Sequence, residues 1–411
     1  MRLTHLSLTN FRNFARLDIE VPHGPILLVG GNAQGKTSLL EAVYFTAAFT
    51  SFHATSDRQL INFLAAREPL AVARIVMDYC LENRPDKSSV HRMEIRIIQE
   101  GNGGNGGSRV RKEILLDGVK KKVSEAIGSF NAVLFLPQML RIVEGAPEER
   151  RRYLNLAMEQ VITNYADLLD AYQHALTQRN ALLKLLSERG GDTQQLNYWD
   201  EQLAISGAQI IYSRIHAILE IERFATSVHR ELTRGQEVLR LVYQPAYDPF
   251  PQRPIQYALP IEAPINRSAL GLEKIRNGLL DCLNQLRKDE IARGVTTTGP
   301  HRDELRFLGN GIDLGIFGSR GQARTAVLSL KLAEVAWMKE KTGFWPVLLL
   351  DEVLAELYTL RRQDLLTRLS QCEQALLTTT DLDLFSPDFV EAARLWHIQA
   401  GQLIHRASLL D

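Results

Sequence analysis

The 411 residues carry 48 Lys plus Arg against 48 Asp plus Glu, so the formal net charge is zero and any contact with nucleic acid must rest on a local basic surface. The length suffices for two domains with a substantial core. Cys80, Cys282 and Cys372 are isolated, which leaves no readable disulfide framework or zinc site. No apolar run approaches the roughly 20 residues of a membrane span, so a soluble, cytoplasmic protein with no membrane partner is expected.

The chain opens on Leu3, Leu6 and Leu8 set among polar residues, a strand-like start. Residues 25–29 form a short apolar run suited to a buried strand, and residues 38–43 open a helical pattern. Between them Gly30-Gly31-Asn32-Ala33-Gln34-Gly35-Lys36-Thr37 matches G-x-x-x-x-G-K-[ST] at every defined position. The glycines let the backbone fold around phosphate with its N–H groups inward, and the helix N-terminus adds a favourable dipole. Lys36 is therefore expected on the β- and γ-phosphates of ATP, with Thr37 on Mg²⁺. The predicted nucleotide-binding set runs from Gly30 to Ser38 and includes Gly31, Asn32, Ala33, Gln34 and Gly35. Arg12, near the first strand, is a candidate for the adenine ring.

Residues 91–99 and 110–116 read as two strands joined by the glycine-rich stretch 101–107. No Lys-Ser/Thr follows those glycines, so the stretch is predicted as a hairpin tip and not a second phosphate site. Arg109, Arg111 and Lys112 with Lys120, Lys121 and Lys122 make either a basic patch or a solvated charged face, as do Arg150, Arg151 and Arg152. Phe135-Leu136-Pro137-Gln138 places Gln138 where it could sense metal or water.

From residue 153 to 189 large residues recur at heptad spacing, as in Tyr165, Leu169, Tyr172, Leu176, Leu183 and Leu186, with Arg179 interrupting the seam. Gly190-Gly191-Asp192 then breaks the helix, and a second stripe, from Trp199 and Leu203 through Ile210, Ile218, Ile221 and Val228 to Leu232, runs back. Two such stripes bury against each other as an antiparallel helical hairpin, an arm limited to roughly 50 to 55 Å at about 1.5 Å per residue. Residues 238–243 read as a strand, Pro245, Pro249, Pro251 and Pro254 as an irregular loop, and residues 267–293 as a helix leading back.

Near the C-terminus, Ser319-Arg320-Gly321-Gln322 precedes an amphipathic helix over 325–339. Ser319, Gly321 and Gln322 either begin that helix in the ordinary way or offer anion-binding groups to the γ-phosphate held by another subunit. Residues 347–350 form a buried-strand pattern that delivers Asp351 and Glu352 at its end. Asp351 is predicted to hold Mg²⁺ with Thr37, and Glu352 to orient and deprotonate the attacking water; the predicted catalytic set is Glu352, Asp351, Lys36 and Gln138. Thr378-Thr379-Thr380-Asp381 follows another strand-like run and either offers hydroxyls to a γ-phosphate or makes a plain turn. Because phosphate loop and acid must meet at one nucleotide, the two ends fold together and everything between them is an insertion. The expected architecture is α/β, a discontinuous P-loop ATPase head over 1–145 and 295–411 with an inserted, mainly helical arm over 146–294.

These motifs resemble those of the ABC-type head ATPases, and within them the RecF family of bacterial recombination-repair proteins. Leu8-Thr9-Asn10-Phe11-Arg12-Asn13-Phe14 is similar to that family's opening strand. Gly145-Ala146-Pro147-Glu148-Glu149-Arg150-Arg151-Arg152-Tyr153-Leu154-Asn155 resembles its approach to the arm, and Tyr198-Trp199-Asp200-Glu201-Gln202-Leu203-Ala204 its second arm helix. Gly294-Val295-Thr296-Thr297-Thr298-Gly299-Pro300-His301-Arg302-Asp303-Glu304 resembles its return to the head. The resemblance implies an ATP-dependent DNA-binding protein that forms an ATP-dependent homodimer and recognises gapped or single-stranded/double-stranded junction DNA. It also implies slow ATP hydrolysis and recombinase loading with other recombination-repair proteins. Four positions depart from the family pattern. Tyr358 stands where Ala/Ser-Glu-Leu-Asp ends in aspartate, His53 where an arginine follows Ser51-Phe52, Ala33 in place of a phosphate-loop glycine, and Gln138 in place of an acid. Hydrolysis rate and coupling across the dimer are where Tyr358 bears. Two other classes use a phosphate loop, the nucleotide-binding subunit of a membrane transporter and a small-molecule kinase; the former predicts no large helical insertion, the latter no second γ-phosphate surface.

Overall fold

The computed structural model describes residues 1–82, 88–101, 108–250 and 266–404. Two compact units emerge, one of residues 1–139 with 334–411 and one of residues 140–333.

The first unit begins with β1 (Arg2–Phe11), β2 (Phe14–Glu20), β3 (Gly24–Val29) and α1 (Lys36–Ala48), followed by β4 (Leu70–Glu82), β5 (Ser88–Gly101), β6 (Ser108–Leu116), β7 (Val119–Lys121), the single turn α2 (Val123–Ala126) and β8 (Ala132–Phe135). Six of these strands make an antiparallel sheet in the order β2-β1-β4-β5-β6-β7. Leu3 and Leu6 are both buried although they lie three residues apart, a spacing a regular strand would place on opposite faces. A register shift between Leu3 and His5 in the pairing with β4 absorbs the extra residue. β5 and β6 pair antiparallel down to Gly101 opposite Ser108, while residues 102–107 of the predicted tip lie outside the described residues.

The second unit contains α3 (Arg141–Glu144), α4 (Pro147–Glu159), α5 (Tyr165–Arg189), α6 (Leu196–Leu232), β9 (Leu239–Gln244), α7 (Leu272–Arg293), β10 (Glu304–Gly309), β11 (Ile312–Asp313), α8 (Leu314–Phe317) and the start of α9 (Arg320–Thr342). Three corrections to the sequence reading arise here. The heptad run predicted from residue 153 is two helices, because the chain turns at 160–164 and Asn164 takes a left-handed conformation, φ 63°, before α5. The helical hairpin gains a third member, since α7 packs along both α5 and α6. Residues 295–333 group with the inserted unit and not the head, because β10 pairs antiparallel with β9 along six residues, Glu304 to Gly309. Pro251 and Pro254 lie outside the described residues.

α6 has 37 residues, about 55 Å at about 1.5 Å per residue. Gly207 sits where α6 approaches its neighbours most closely: a Cβ there would meet Leu279 at 3.0 Å and Tyr172 at 3.1 Å. Arg179, the interruption in the apolar seam, is fully buried and acts as a polar lock. Its guanidinium lies 2.5 Å from Asp200 on α6, 2.7 Å from Glu290 on α7 and 2.8 Å from the Thr296 hydroxyl, and Arg287 donates to the other oxygen of Asp200 at 2.6 Å. A charge in a helix seam is tolerated because it is matched and hydrogen-bonded on three sides.

The chain re-enters the first unit along the rest of α9 and adds β12 (Val347–Asp351), α10 (Thr359–Leu369), β13 (Gln374–Thr379), α11 (Pro387–Ala392), β14 (Arg394–Gln399) and β15 (Gln402–Ile404). These build a second sheet in the order β15-β14-β3-β13-β12-β8, parallel except for the β14–β15 hairpin. Every residue of β12 and β13 is buried, the continuous apolar run expected of a parallel strand covered on both faces.

Candidate nucleotide-binding site

The parallel sheet sets β3 beside β13 and β13 beside β12, so the phosphate-loop strand and the acid strand lie one strand apart with their carboxyl ends on the same edge. The loop from Gly30 to Gly35 leaves β3 and enters α1 directly. Gly35 caps that helix at φ 118°, and a Cβ there would come within 2.6 Å of Asn13 Nδ2, so glycine is required both by conformation and by space. Asn13 Nδ2 in turn donates to the Gln34 carbonyl at 3.0 Å. From the far end of the chain, Gly401 N donates to the same carbonyl at 2.9 Å and Ala400 N to Gln34 Oε1 at 2.7 Å. The loop is thus fixed before any anion reaches it. Ala33, in the place of a family glycine, nevertheless adopts φ 62°, a conformation that costs an L-residue about 1–2 kcal/mol.

Lys36 is buried, and its Nζ donates to the carbonyls of Gly30 at 2.6 Å and Gly31 at 3.0 Å, with Glu352 Oε1 3.5 Å away. The Thr37 hydroxyl lies 2.9 and 3.1 Å from the two carboxylate oxygens of Asp351, 314 positions along the chain. Thr378, at the end of the intervening strand, donates its hydroxyl to Asp351 Oδ1 at 2.7 Å and accepts the Glu352 backbone N–H at 2.9 Å. That hydroxyl therefore positions the acid pair, which differs from the expected role at a γ-phosphate. Thr379 is likewise turned inward, onto the Asp381 carbonyl, and only Thr380 of the three is exposed. Glu352 itself sits at φ 51°, which sets its carboxylate beside Lys36 at the strand end.

Residues 31–37, Asp351 and Glu352 line one cleft of about 840 Å³, together with Arg12, Asn13, Ser38, Glu41, His53, Gln59 and residues 61–64. Arg12, expected near the adenine ring, lines this cleft. Its guanidinium forms a two-point pair with Glu41 at 2.7 and 2.8 Å and donates to the Gln59 carbonyl at 3.0 Å, so its polar edge is committed within the wall. Glu41 is held by Ser51 as well as by Arg12, a buried cluster with no signature in the sequence. Gln138 is exposed just beyond β8, the strand beside β12, but is not among the residues lining the cleft.

In the second unit Ser319 caps α9 reciprocally: its hydroxyl accepts the Gln322 N–H at 3.2 Å while Gln322 Oε1 accepts the Ser319 N–H at 3.0 Å. Gln322 Nε2 also donates to Glu237 at 2.9 Å. Gly321 occupies the first turn. The basic candidates are partly spent: Arg150 pairs with Glu304, Arg151 with Glu148, Lys112 with Asp57, Arg111 with Glu100 and Glu113, and Lys120 with Glu113.

The fit of ATP and Mg²⁺ follows from this donor set. Mg²⁺ is usually held by one or two carboxylates and substrate phosphates with several waters, and Asp351 beside the Thr37 hydroxyl supplies such a half-shell. Among the described residues no group of three or more His, Cys, Asp or Glu could hold a metal alone.

Comparison with known proteins agrees. The RecF/RecN/SMC N terminal domain family matches residues 2–396. The DNA replication and repair protein RecF of Roseiflexus castenholzii is 37% identical over 98% of this chain and 99% of its own length, and that of Chloroflexus aggregans is 38% identical with the same coverage. The chain belongs to the RecF family. A solved structure of the recombination mediator protein RecF with ATP, in the RecFOR pathway, has a TM-score of 0.78 at 28% identity over 98% of both chains. An SMC head bound to the C-winged helix domain of ScpA, TM-score 0.51 at 15% identity, shares the fold alone. RecF membership fixes the fold as an ABC-type P-loop ATPase head with an inserted, mainly helical unit, and neither the transporter-subunit nor the kinase reading is favoured. Of the departures from the RecF pattern, His53 is exposed in the cleft wall and Tyr358 stands 72% exposed at the N-cap of α10, where it supplies no side-chain cap. No helix among the described residues is long and apolar enough to cross a membrane.

Proposed function

We propose that this chain is an ATP-binding recombination-repair protein, an ATP-gated dimeric clamp at gapped or junction DNA that hydrolyses ATP slowly and helps load recombinase with other recombination-repair proteins. The observation that carries the reading is the approach of the Thr37 hydroxyl to the Asp351 carboxylate at 2.9 and 3.1 Å, which brings the two halves of a nucleotide site together. Bound ATP with Mg²⁺ would supply the γ-phosphoryl group and neutralise its charge during transfer to water. Lys36 would exchange two neutral carbonyl acceptors for phosphate oxygens, the loop N–H groups would orient the chain of phosphates, and Thr37 with Asp351 would hold the metal. Glu352, already beside Lys36, takes the proton of the attacking water at its carboxylate.

In this reading the unit of residues 1–139 and 334–411 serves as the head, the unit of residues 140–333 carries the arm, and Ser319, Gly321 and Gln322 of a second copy complete the site. Arg109 and Lys122, exposed on the β5–β7 side of the first unit, are the basic residues assigned to DNA. The test is sedimentation with MgATP, with and without gapped DNA, for the parent protein, Lys36→Ala and Glu352→Gln. The parent associates on ATP, Lys36→Ala stays monomeric, and Glu352→Gln accumulates as a dimer that releases phosphate at least about 10²-fold more slowly, the lower end of the range for a lost general base. A tight ATP-bound dimer of Lys36→Ala would sink the reading.

A further inference from the structure

The cleft wall contains two large apolar side chains that the fold does not bury. Phe63 is 71% exposed and Leu64 69% exposed, yet both line the cleft that holds the phosphate loop. The turn that carries them is held firmly against β1. Ile61 bridges to Phe11, Asn62 N donates to the Asn10 carbonyl at 2.8 Å, and the Arg12 N–H donates to the Leu60 carbonyl at 2.8 Å. Asn62 also closes the turn from within: its Nδ2 donates to the Arg12 carbonyl at 2.7 Å, and its Oδ1 accepts the Leu64 N–H at 3.0 Å. Arg67 lies 4.5 Å from the centre of the Phe63 ring, steadying the ring by a cation–π contact. An adjacent apolar pair held rigidly in solvent, inside a concave site with phosphate-binding groups, calls for a flat apolar ligand surface.

We propose that Phe63 and Leu64 form the platform on which the purine of the bound nucleotide rests. The assignment builds on the nucleotide site described above and extends it to the base, beside an Arg12 whose N–H edge is spent on Glu41 and Gln59. Phe63 offers a π-face that stacks on a base ring, and Leu64 extends the apolar surface beside it. Recognition here rests on stacking: Asn62, the polar side chain next to Phe63, is held into the turn through both its amide ends.

The experiment compares binding of MgATP with that of magnesium tripolyphosphate, which has the phosphates but no base. It uses the full-length parent, Phe63→Ala, Phe63→Tyr and Lys36→Ala. Phe63→Ala is expected to weaken ATP about tenfold, within the range of one lost base–aromatic stack, and to leave tripolyphosphate affinity unchanged, which also shows that the variant is folded. Phe63→Tyr keeps ATP affinity, and Lys36→Ala loses both ligands. Unchanged ATP affinity in Phe63→Ala, or equal weakening of both ligands, would overturn the platform. So would a variant that binds ATP like the parent but no longer self-associates, which would assign the pair to an interface between copies. A parent protein that binds neither ligand removes the phosphate site itself and the platform with it.

Discussion

Replacing Asp351 by asparagine separates metal binding from folding. Asp351 is buried and accepts hydroxyl hydrogen bonds from Thr37 and Thr378, while Lys36 is paired with Glu352 instead. In the free protein the carboxylate is therefore a buried charge solvated by two hydroxyls. Asparagine keeps the shape and an acceptor oxygen, and each hydroxyl bond falls from about 1.5–3 kcal/mol for a charged acceptor to about 0.5–1.5 kcal/mol for a neutral one, a loss of roughly 2–3 kcal/mol for the pair. Relief of the desolvation penalty on the carboxylate, several kcal/mol per buried ion, acts in the opposite direction and is of equal or larger size. The free variant is therefore expected to be as stable as the parent or up to about 2 kcal/mol more stable.

The liganded protein behaves in the reverse sense. A ligand at 100 times its Kd stabilises by about 2.7 kcal/mol, and the share of that which requires Mg²⁺ disappears when the carboxylate does. Thermal melting of parent and Asp351→Asn without nucleotide, with ATP and EDTA, and with ATP and Mg²⁺ reads both effects. The melting shift of the variant with Mg²⁺ should equal its shift with EDTA, while the parent gains a further rise. A variant that retains the full Mg²⁺-dependent rise, or that loses more than about 2 kcal/mol without nucleotide, would refute the reasoning that the carboxylate is kept for metal.

Three further outcomes follow from local geometry. Ala33→Gly relieves the left-handed alanine and should stabilise by about 0.5–1 kcal/mol in urea unfolding, after the entropy of the added glycine, with ATP affinity within about twofold of the parent. Arg179→Met leaves Asp200 and Glu290 buried with one cation fewer and should destabilise the helical unit by about 3–5 kcal/mol, read from the fluorescence of Trp199 on α6 during urea unfolding. The third concerns pH. Burial holds the His301 imidazole down at about 4, with the Tyr172 hydroxyl 2.7 Å from Nδ1. As pH falls from about 6.5 toward 4 the unfolded chain takes up this proton first, so up to about 3 kcal/mol of stability present above pH 6.5 is lost. Glu159 runs the other way, since burial and the nearby Asp170 raise its carboxyl to about 7. The folded state keeps that proton, and the stability it confers below about pH 4.5 is lost as pH rises through 7. His301→Gln should flatten the acid limb of the stability profile and Glu159→Gln the limb approaching neutrality, measured by unfolding at pH 5 and 7.5.

The parts of the site legible in the sequence are those carried by short runs. An apolar strand, a glycine loop and a helix start announced the phosphate site, and another apolar strand announced Asp351 and Glu352, because parallel strands buried on both faces leave uninterrupted hydrophobic runs. What stayed hidden depends on contacts across hundreds of residues. Glu41 reads as one more polar residue in a helix until Arg12 and Ser51 are seen to close on it. Ala400 and Gly401 give no sign that their N–H groups hold Gln34. Phe63 and Leu64 belong to no motif, and only the fold shows that they are left in solvent. Arg179 was visible as a flaw in the heptad seam, but its partners lie on two other helices and in the Thr296 turn. The boundary near 295 was misplaced for a related reason: the strand at 304–309 finds its partner at 239–244, and nothing local distinguishes a strand of the head from a strand of the insertion.

The sheet order also explains how a motif split across more than 300 positions remains one site. β8 and β12 are neighbouring parallel strands, and the whole inserted unit lies in the connection between them. Parallel neighbours need a crossover in any case, and the entropy of closing it grows only logarithmically, by about 0.6 kcal/mol per doubling of its length. Enlarging that one connection therefore leaves the order β3-β13-β12 intact, and with it the spacing of Thr37, Thr378 and Asp351. The same connection ends in α9, a continuous helix that opens on Ser319 and delivers the chain to the strand ending in Asp351. Asp351 and the Ser319 cap, proposed above to meet the nucleotide of another copy, are thereby the two ends of a single segment. Substitutions within α9 should accordingly be judged by their effect on both.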